Sequence, residues 1–382
     1  MEIGGVERSL ISMLEHFDDK NNEIDLMLYR HSGDLIPLIP EKANLLKELK
    51  AYRTFRMSIS QVIRSGHILI GIARLLAKVK ASFSHVAENG YKQMQYMWKY
   101  ALPFLPGIEK EYEIAISYLW PHYFVAEKVS ADKKMAWIHT DFSTVETDTR
   151  LDVRMWNQFD HIIAVSNECK QAFIERYPML RAKVIVMENI VSPIFIKKQA
   201  DDMIENPMVD DKRFKVITVA RLSHAKGIDR AVEAMKILKQ RGINNIVWYV
   251  VGYGGDEKRI RELIAKFQLN DCFILLGKKL NPYPFMKEAD LYVQPSRYEG
   301  KAVTVREAQI LAKPVLITNY STAKSQLNDG FDGIICEQSI EEIADGIVKL
   351  YKDQPLRERL SLNCRESNYD NDDQLNKLYQ LM

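Results

Sequence analysis

Two carboxylates eight residues apart, Glu299 and Glu307, stand in the stretch PSRYEGKAVTVREAQILAKPV, residues 295–315. The apolar run LYVQ before it reads as a strand. Glu299 falls in the loop after that strand, and Glu307 in the helix that follows. A carboxylate accepts hydrogen bonds from paired hydroxyls, as on a sugar or a ribose. The backbone N–H groups of residues 301–304, at the start of the helix, suit a phosphate. A phosphate repels carboxylates, so the two glutamates are expected to meet another part of the same ligand. The plain alternative for Glu307 is an acid that complements the helix dipole.

Other residues fall at similar places. In ARLSHAKGIDRA, Arg221 and Lys226 lie just past a strand and just before a helix. Two cations beside a helix N-terminus suit a diphosphate; a solvated loop is the bland reading. Gly4 and Gly5 precede a helix beginning near Val6, where glycine lets the backbone approach a ligand, although such a turn is also routine. His139, in AWIHTDF, ends an apolar strand; it is either a satisfied rim residue or a hydrogen-bonding group for a substrate. The turn VVGYGGDE offers Gly252-x-Gly254, but Glu257 stands where a dinucleotide fingerprint needs its third glycine.

The elements that would position these residues alternate regularly in the second half. Strands are expected at FKVITVA, IVWYVVG, CFILLG, LYVQPS, PVLIT and GIIC. Helices are expected at GIDRAVEAMKILKQRG, at DEKRIRELIAKFQL, near PYPFMKEA and from about Val303. Repeated strand–helix units of this length build a parallel sheet with right-handed crossovers. In such a sheet, ligands bind beyond the carboxyl ends of the strands, where every candidate above falls. The first half is less regular, with strands expected at EIDLMLY, YEIAISYL, KKMAWIH, HIIAVS and KVIVMEN. The fold class is therefore α/β, with two doubly wound domains. We expect residues 1–192 as the first, 193–212 as a linker that loses its apolar period, and 213–360 as the second. Residues 361–382 would form a C-terminal helix able to cross back. A glycine loop normally follows a strand, yet three residues precede Gly4; either a feeding strand is encoded upstream of Met1, which is the favoured expectation, or the fold tolerates its loss.

Composition narrows the class. With 382 residues, 47% apolar and 27% charged, the chain is globular and long enough for two cores. Its four cysteines form no CxxC pair, so neither a zinc site nor a disulfide framework is indicated, and no metal is expected. No apolar run reaches the ~18 residues a membrane span needs; the longest, HILIGIARLLAKV, is interrupted by Arg74. The opening MEIGGVERS lacks the basic-then-apolar pattern of a leader. Residues 41–80 carry Lys42, Lys47, Lys50, Arg53, Arg56, Arg64, Arg74, Lys78 and Lys80 against Glu41 and Glu48. With leucines and isoleucines at helical spacing, this reads as a basic amphipathic element for an anionic membrane surface. A solvated helix with an apolar core face is the alternative. No aromatic platform supports nucleic acid as a partner.

Taken together, these motifs resemble the family 4 glycosyltransferases of the GT-B fold, of the bacterial surface-polysaccharide type. The carriers are Arg221-x4-Lys226-Gly227, the turn around Gly252 and Gly254, YVQPSRYEG and Glu299-x7-Glu307, with GGVERSLI and HIIAVSN as looser matches. The resemblance implies two Rossmann-like domains facing across a cleft and a retaining, metal-independent hexosyltransferase without cofactor. It implies a UDP- or GDP-linked sugar as donor and a glycan or polyprenyl-diphosphate-linked acceptor. Arg221 and Lys226 would neutralise the diphosphate. Glu307 would hold the ribose and Glu299 the hexose. The backbone from Gly300 through Lys301 and Ala302 to Val303 would meet the β-phosphate. Gly277 and Lys278 would lie by the base, and His139 would meet the sugar. Lys301 and Ala302 stand where the family often has an aromatic residue and a glycine. A cytoplasmic protein, peripheral on the inner face of the plasma membrane, is the expectation. The alternatives are a GT-B-fold epimerase or phosphorylase, or a non-catalytic nucleotide- or glycan-binding module.

Overall fold

The computed structural model describes residues 4–18, 20, 22–82, 90–371 and 373–382. The three residues ahead of Gly4, where the feeding-strand question arises, lie outside them. The described residues fall into two compact units, one of Met13–Glu188 with Asp373–Met382, the other running from Asn189 to residue 371 with residues 4–12.

The first unit holds strands β1 (Ile24–Leu26) and β2 (Ala43–Leu45), paired parallel, and β3 (Glu111–Ser117), β4 (Ser130–Ile138), β5 (His161–Ala164) and β6 (Val184–Val186). The last four form a parallel sheet in sequence order. Helices Tyr123–Lys128, Thr149–Trp156 and Asn167–Arg176 occupy the crossovers. Trp156, Phe159 and Phe173 are fully buried, and Ile162, Ile163 and Ala164 of β5 are buried in a row, as expected of an inner parallel strand. The carboxylate of Asp152 is also fully buried, accepting from Thr147, Tyr177 and the Gln95 amide (2.7 Å). Those bonds tie helix Gly90–Ala101 to helix Thr149–Trp156.

The stretch 41–80 is not one amphipathic helix. It contains β2, a short turn of helix at Lys50–Arg53, and helices Ile59–Arg64 and Ile68–Ser82. A capping box starts the middle helix, where Ser58 and Gln61 each bond the other's backbone N–H. Gly66, at φ +87°, turns the chain between the last two.

In the second unit, β7 (Phe214–Val219), β8 (Ile246–Val251), β9 (Phe273–Gly277), β10 (Leu291–Gln294), β11 (Val315–Thr318) and β12 (Ile334–Cys336) form one parallel sheet. Its order is β12-β11-β10-β7-β8-β9. Every residue of β8 is buried, which a sheet covered on both faces requires. Alternate residues supply two cores: Ile217, Val219, Tyr249 and Ile317 on one face, Val216, Trp248, Val250 and Leu316 on the other. The strand order reverses at β7 and β10, which are neighbours although two strands lie between them in the chain. Such a switch point opens a crevice at the carboxyl ends of the two strands.

Three boundaries differ from expectation. Residues 4–12, expected with the first domain, group with the second unit, because Ser9 donates to Asn189 Oδ1 at 3.0 Å and Arg8 reaches Leu280 and Glu307. The expected linker contains helix Pro193–Ala200, whose N-cap hydroxyl on Ser192 accepts from the Phe195 N–H and whose Ile196 and Ala200 enter the core. Residues 361–371 stay with the second unit, and only Asp373–Met382 joins the first.

Candidate active site

The loops after β7 and β10 meet at the switch point. Gly227 ends the first loop with φ +65°, and a Cβ there would stand 2.0 Å from the Pro295 carbonyl oxygen. Only glycine lets the two loops touch this way. Arg297 clamps them further. Its N–H donates to Ala225 O (2.7 Å), its guanidinium to His224 O (2.7 Å), and a two-pronged pair at 2.8 Å joins it to Asp229. Burial would raise the Asp229 pKa, but Arg297 outweighs it and holds the carboxyl below its usual range. Glycine at 252 lets the loop after β8 press on the same place, since a Cβ would lie 1.8 Å from Ala220 O. Gly252 N–H in turn donates to Gly277 O at the end of β9 (2.9 Å).

Lys226 and Glu299 meet in this junction. The ammonium lies 2.6 Å from each carboxylate oxygen. Oε1 also accepts from the Ser296 hydroxyl (2.7 Å) and the Gln294 amide (3.0 Å). Gln294 is oriented by the Tyr292 hydroxyl, whose own pKa burial raises, so it stays a donor. Thr322 donates to the Glu299 carbonyl at 3.0 Å. Glu299 is 7% exposed and the Lys226 side chain 26%, so the carboxylate is fixed while its partner reaches solvent. Arg221, one residue past Ala220, is exposed and has no protein partner among the described residues.

Helix Val303–Ile310 follows with Ala302 as its N-cap and no side chain capping it. Its first N–H groups are the unspent donors that every helix start presents. Gly300, Ala302 and Val303 are buried, with Lys301 half-buried among them. Gly5 packs against Val303: a Cβ on it would lie 3.6 Å from the valine side chain. Gly4 is the next residue back, so the structure brings the opening glycines to the start of this helix.

Glu307, one turn in, is 2% exposed. Tyr283 donates its hydroxyl to Oε1 at 2.8 Å, and the Arg8 guanidinium lies 3.6 Å from the same oxygen. Burial works against the charge on Arg8, and Tyr283 and Glu307 more than offset it, so its pKa is raised. Lys278 sits over the Tyr253 ring at 4.7 Å. His139 belongs to the first unit, just after β4. Its ring nitrogens are buried without a hydrogen bond among the described residues, and burial lowers its pKa to about 4, so the imidazole is neutral.

The residues absent from the sequence expectation are Arg8, Tyr283, Gln294, Ser296 and Thr322. Gln294 and Ser296 lie inside the quoted strand and loop, where an amide and a hydroxyl before a glutamate are a legible signal. Nothing in the sequence links Arg8 or Tyr283 to Glu307, across chain separations of 299 and 24 residues.

Comparison with known proteins bears on the fold and on the sequence pattern of the second half. The family described as Glycosyl transferases group 1 matches residues 199–367. The capsular polysaccharide biosynthesis glycosyltransferase CapM of Staphylococcus aureus is 29% identical over 218 residues, 54% of this chain and 56% of that protein. The N,N'-diacetylbacillosaminyl-diphospho-undecaprenol alpha-1,3-N-acetylgalactosaminyltransferase of Campylobacter jejuni is 21% identical over 216 residues, 55% of this chain and 56% of that one. The chain spans about half the length of the first curated relatives it matches. The structure of HepE from Anabaena in complex with UDP-glucose aligns with a TM-score of 0.64 at 16% identity, over 99% of this chain and 96% of that one. The fold is that of the GT-B glycosyltransferases, with two Rossmann-like units, and residues 199–367 carry the sequence pattern of glycosyl transferases group 1.

Proposed function

We propose that the chain is a retaining, metal-independent glycosyltransferase. It moves a hexose from a UDP- or GDP-linked donor to a cell-surface glycan or a polyprenyl-diphosphate-linked acceptor. The observation that carries this is the Lys226–Glu299 pair at the switch point of the second unit, with Arg221 in the same loop and without a partner among the described residues. One anchor thus combines a cation for a leaving diphosphate with an acid for sugar hydroxyls. An ammonium has three hydrogens, of which Glu299 engages two, leaving one for a phosphate oxygen. Glu299 Oε2 accepts only from Lys226 among the described residues, which leaves it a lone pair for a hexose hydroxyl.

In the reaction, the bond from C1 of the sugar to the diphosphate oxygen breaks, and its electron pair stays on that oxygen. Arg221, Lys226 and the uncapped start of helix Val303–Ile310 stabilise the charge that develops there. The acceptor hydroxyl attacks C1 from the same face and passes its proton to the departing phosphate oxygen. Configuration at C1 is then retained without a glycosidase-type carboxylate pair. Glu307 holds the ribose, and Gly277 and Lys278 lie by the base. Neutral His139 is the group of the first unit assigned to the sugar.

Residues 41–80 bring the enzyme to an anionic membrane surface, where a lipid-linked acceptor would be found. Helix Ile68–Ser82 supports this reading. It buries Ile70, Gly71, Ala73, Ala77 and Ala81 and leaves Ile68, Leu69, Ile72, Leu75, Leu76 and Val79 about half exposed. Between Glu48 and Glu88 the sequence has seven lysines and arginines and no acid.

A panel of nucleotide sugars, assayed for released nucleoside diphosphate with and without acceptor and in the presence of a chelator, tests the assignment. Release of UDP or GDP that survives chelation, with product of the donor's anomeric configuration, is expected. Absence of release from every donor would sink the transferase reading, and an inverted anomer would sink the retaining mechanism.

A further inference from the structure

The residue that the donor-site reading leaves unused is Arg8. It stands one turn into helix Gly5–His16, and its side chain is only 14% exposed, although arginine seldom accepts such burial without partners. Its partners all bear on one carboxylate. Nη1 lies 3.6 Å from Glu307 Oε1, Nη2 donates to Leu280 O at 3.0 Å, and the guanidinium lies over the Tyr283 ring at 5.3 Å. Tyr283 then donates to the same Oε1 at 2.8 Å. The first carboxylate oxygen is thus held by a hydroxyl and a cation, both themselves anchored. The second, Oε2, is buried and has no hydrogen-bond partner among the described residues.

A buried carboxylate with one oxygen fully held and the other empty is an incomplete arrangement. Natural proteins rarely leave such an acceptor unsatisfied. A donor group from a ligand completes it, and the diol of a ribose is a donor of the right kind. We propose that Arg8 is a positioning residue for the nucleotide, holding the Glu307 carboxylate fixed in rotation so that Oε2 faces the ligand. This rests on the reading of Glu307 as the ribose acid. Arg8 touches the carboxylate and not the nucleotide, so its effect passes wholly through Glu307. Residues 4–12 are then part of the nucleotide site of the second unit, with Gly5 against Val303 and Arg8 against Glu307 as two contacts of one docked helix end.

The test is calorimetric titration of UDP and GDP into the full-length wild type, Arg8→Ala, Arg8→Lys, Tyr283→Phe, Glu307→Gln and the double variants Arg8→Ala/Glu307→Gln and Tyr283→Phe/Glu307→Gln. Arg8→Ala should weaken the preferred nucleoside diphosphate about ten-fold, the size expected for one charge-assisted contact. Arg8→Lys should recover part of that loss. In the Glu307→Gln background, removal of Arg8 should cost less than about two-fold, because the residue it positions no longer carries the charge. In turnover assays the loss should fall on the donor KM rather than on kcat. Tyr283→Phe removes one hydroxyl and leaves the helix untouched, so it keeps the comparison valid if Arg8→Ala unfolds; its loss should likewise vanish in Glu307→Gln. If Glu307→Gln weakens binding while Arg8→Ala binds like the wild type, or if the two losses multiply independently, Arg8 has no positioning role and the donor reading stands. If the wild type binds neither nucleotide, the donor reading falls and takes this inference with it.

Discussion

Lys226 binds both oxygens of Glu299 at 2.6 Å. A pair this short, with one member 7% exposed, has two consequences that pull apart. Removing the lysine leaves a buried carboxylate held, among the described residues, by Ser296 and Gln294 alone. Breaking a buried pair costs about 3–5 kcal/mol, and the partial exposure of Lys226 reduces that to roughly 1–3 kcal/mol here. Lys226→Ala should therefore lower both the melting temperature and transfer. Lys226→Met with Glu299→Leu removes both charges, and should recover most of the stability and none of the activity. Thermal melts alongside nucleotide-release assays check this. Recovery of activity in the double variant would show that the pair is only structural.

The two glutamates should fail differently. Glu307 is assigned to the ribose, whose contacts change little as the glycosidic bond breaks, so Glu307→Ala should mainly raise the donor KM. Glu299 is assigned to the hexose, where charge and shape change in the transition state. Glu299→Ala should lower kcat, by about ten- to a hundred-fold for one charge-assisted hydrogen bond. Free nucleoside diphosphate contains the ribose and not the hexose, so only Glu307→Ala should weaken its binding. Equal losses of nucleoside diphosphate affinity in the two variants would refute this division.

How legible the site was depended on chain distance. The six strands of the second unit were marked by β-branched runs and their parallel pairing by the repeated strand–helix units, while their order, with the switch point where Lys226 and Glu299 lie, came only with the structure. Each motif there lies within a few residues of the strand end and helix start that position it. What stayed hidden was whatever required distant elements to meet, such as Arg8 reaching Glu307 or Gly227 reaching Pro295 O. The stretch 41–80 shows a different failure. Its apolar residues have helical spacing, which fits the membrane-facing stripe expected from the sequence and the core-facing alternative equally well. In helix Ile68–Ser82 the core side is Ile70, Gly71 and the alanines, and the six larger apolar residues Ile68, Leu69, Ile72, Leu75, Leu76 and Val79 face away from it. Periodicity shows that a helix has two faces and does not say which one is buried. Expecting a linker at 193–212 missed a helix because charge was weighed above the Ser192–Pro193 start signal.

Acid should destabilise the first unit through His139 and His122. Burial lowers His139 from 6.5 to about 4 and His122 to about 3, the latter with help from His139. The Ser117 hydroxyl and the Tyr118 and Trp156 rings around them carry no compensating negative charge. Both histidines are neutral in the folded protein and protonate more readily unfolded. Their contribution is therefore complete above about pH 6.5 and lost as the pH falls toward 4. At about 1.4 kcal/mol per unit, a shift from 6.5 to about 4 is worth on the order of 3 kcal/mol for His139. Denaturant melts from pH 7 to pH 4 should show the decline, and His139→Gln should flatten it. A wild-type curve level across that range would contradict the neutral assignment.

The exposed stripe on helix Ile68–Ser82 gives the membrane proposal a test that separates it from simple solvation. Ile68, Leu69, Ile72, Leu75, Leu76 and Val79 lie on one face and are about half exposed, so replacing them costs the fold little. Against a bilayer each could bury the rest of its side chain, at up to roughly 1.5 kcal/mol apiece. Each lysine or arginine near an anionic surface adds about 1 kcal/mol. The two contributions respond to different agents. Salt should weaken only the electrostatic part, whose reach is about 10 Å at 0.1 M. Ile72→Asp with Leu76→Asp should remove the apolar part and add repulsion while leaving the melting temperature within a few degrees. Co-sedimentation with vesicles of anionic phospholipid should therefore fall with salt in the wild type and be lost in the double variant. Vesicles of neutral lipid should bind the wild type weakly and in a salt-independent way. If the double variant pelleted with anionic vesicles as fully as the wild type, the apolar stripe would have no part in membrane binding.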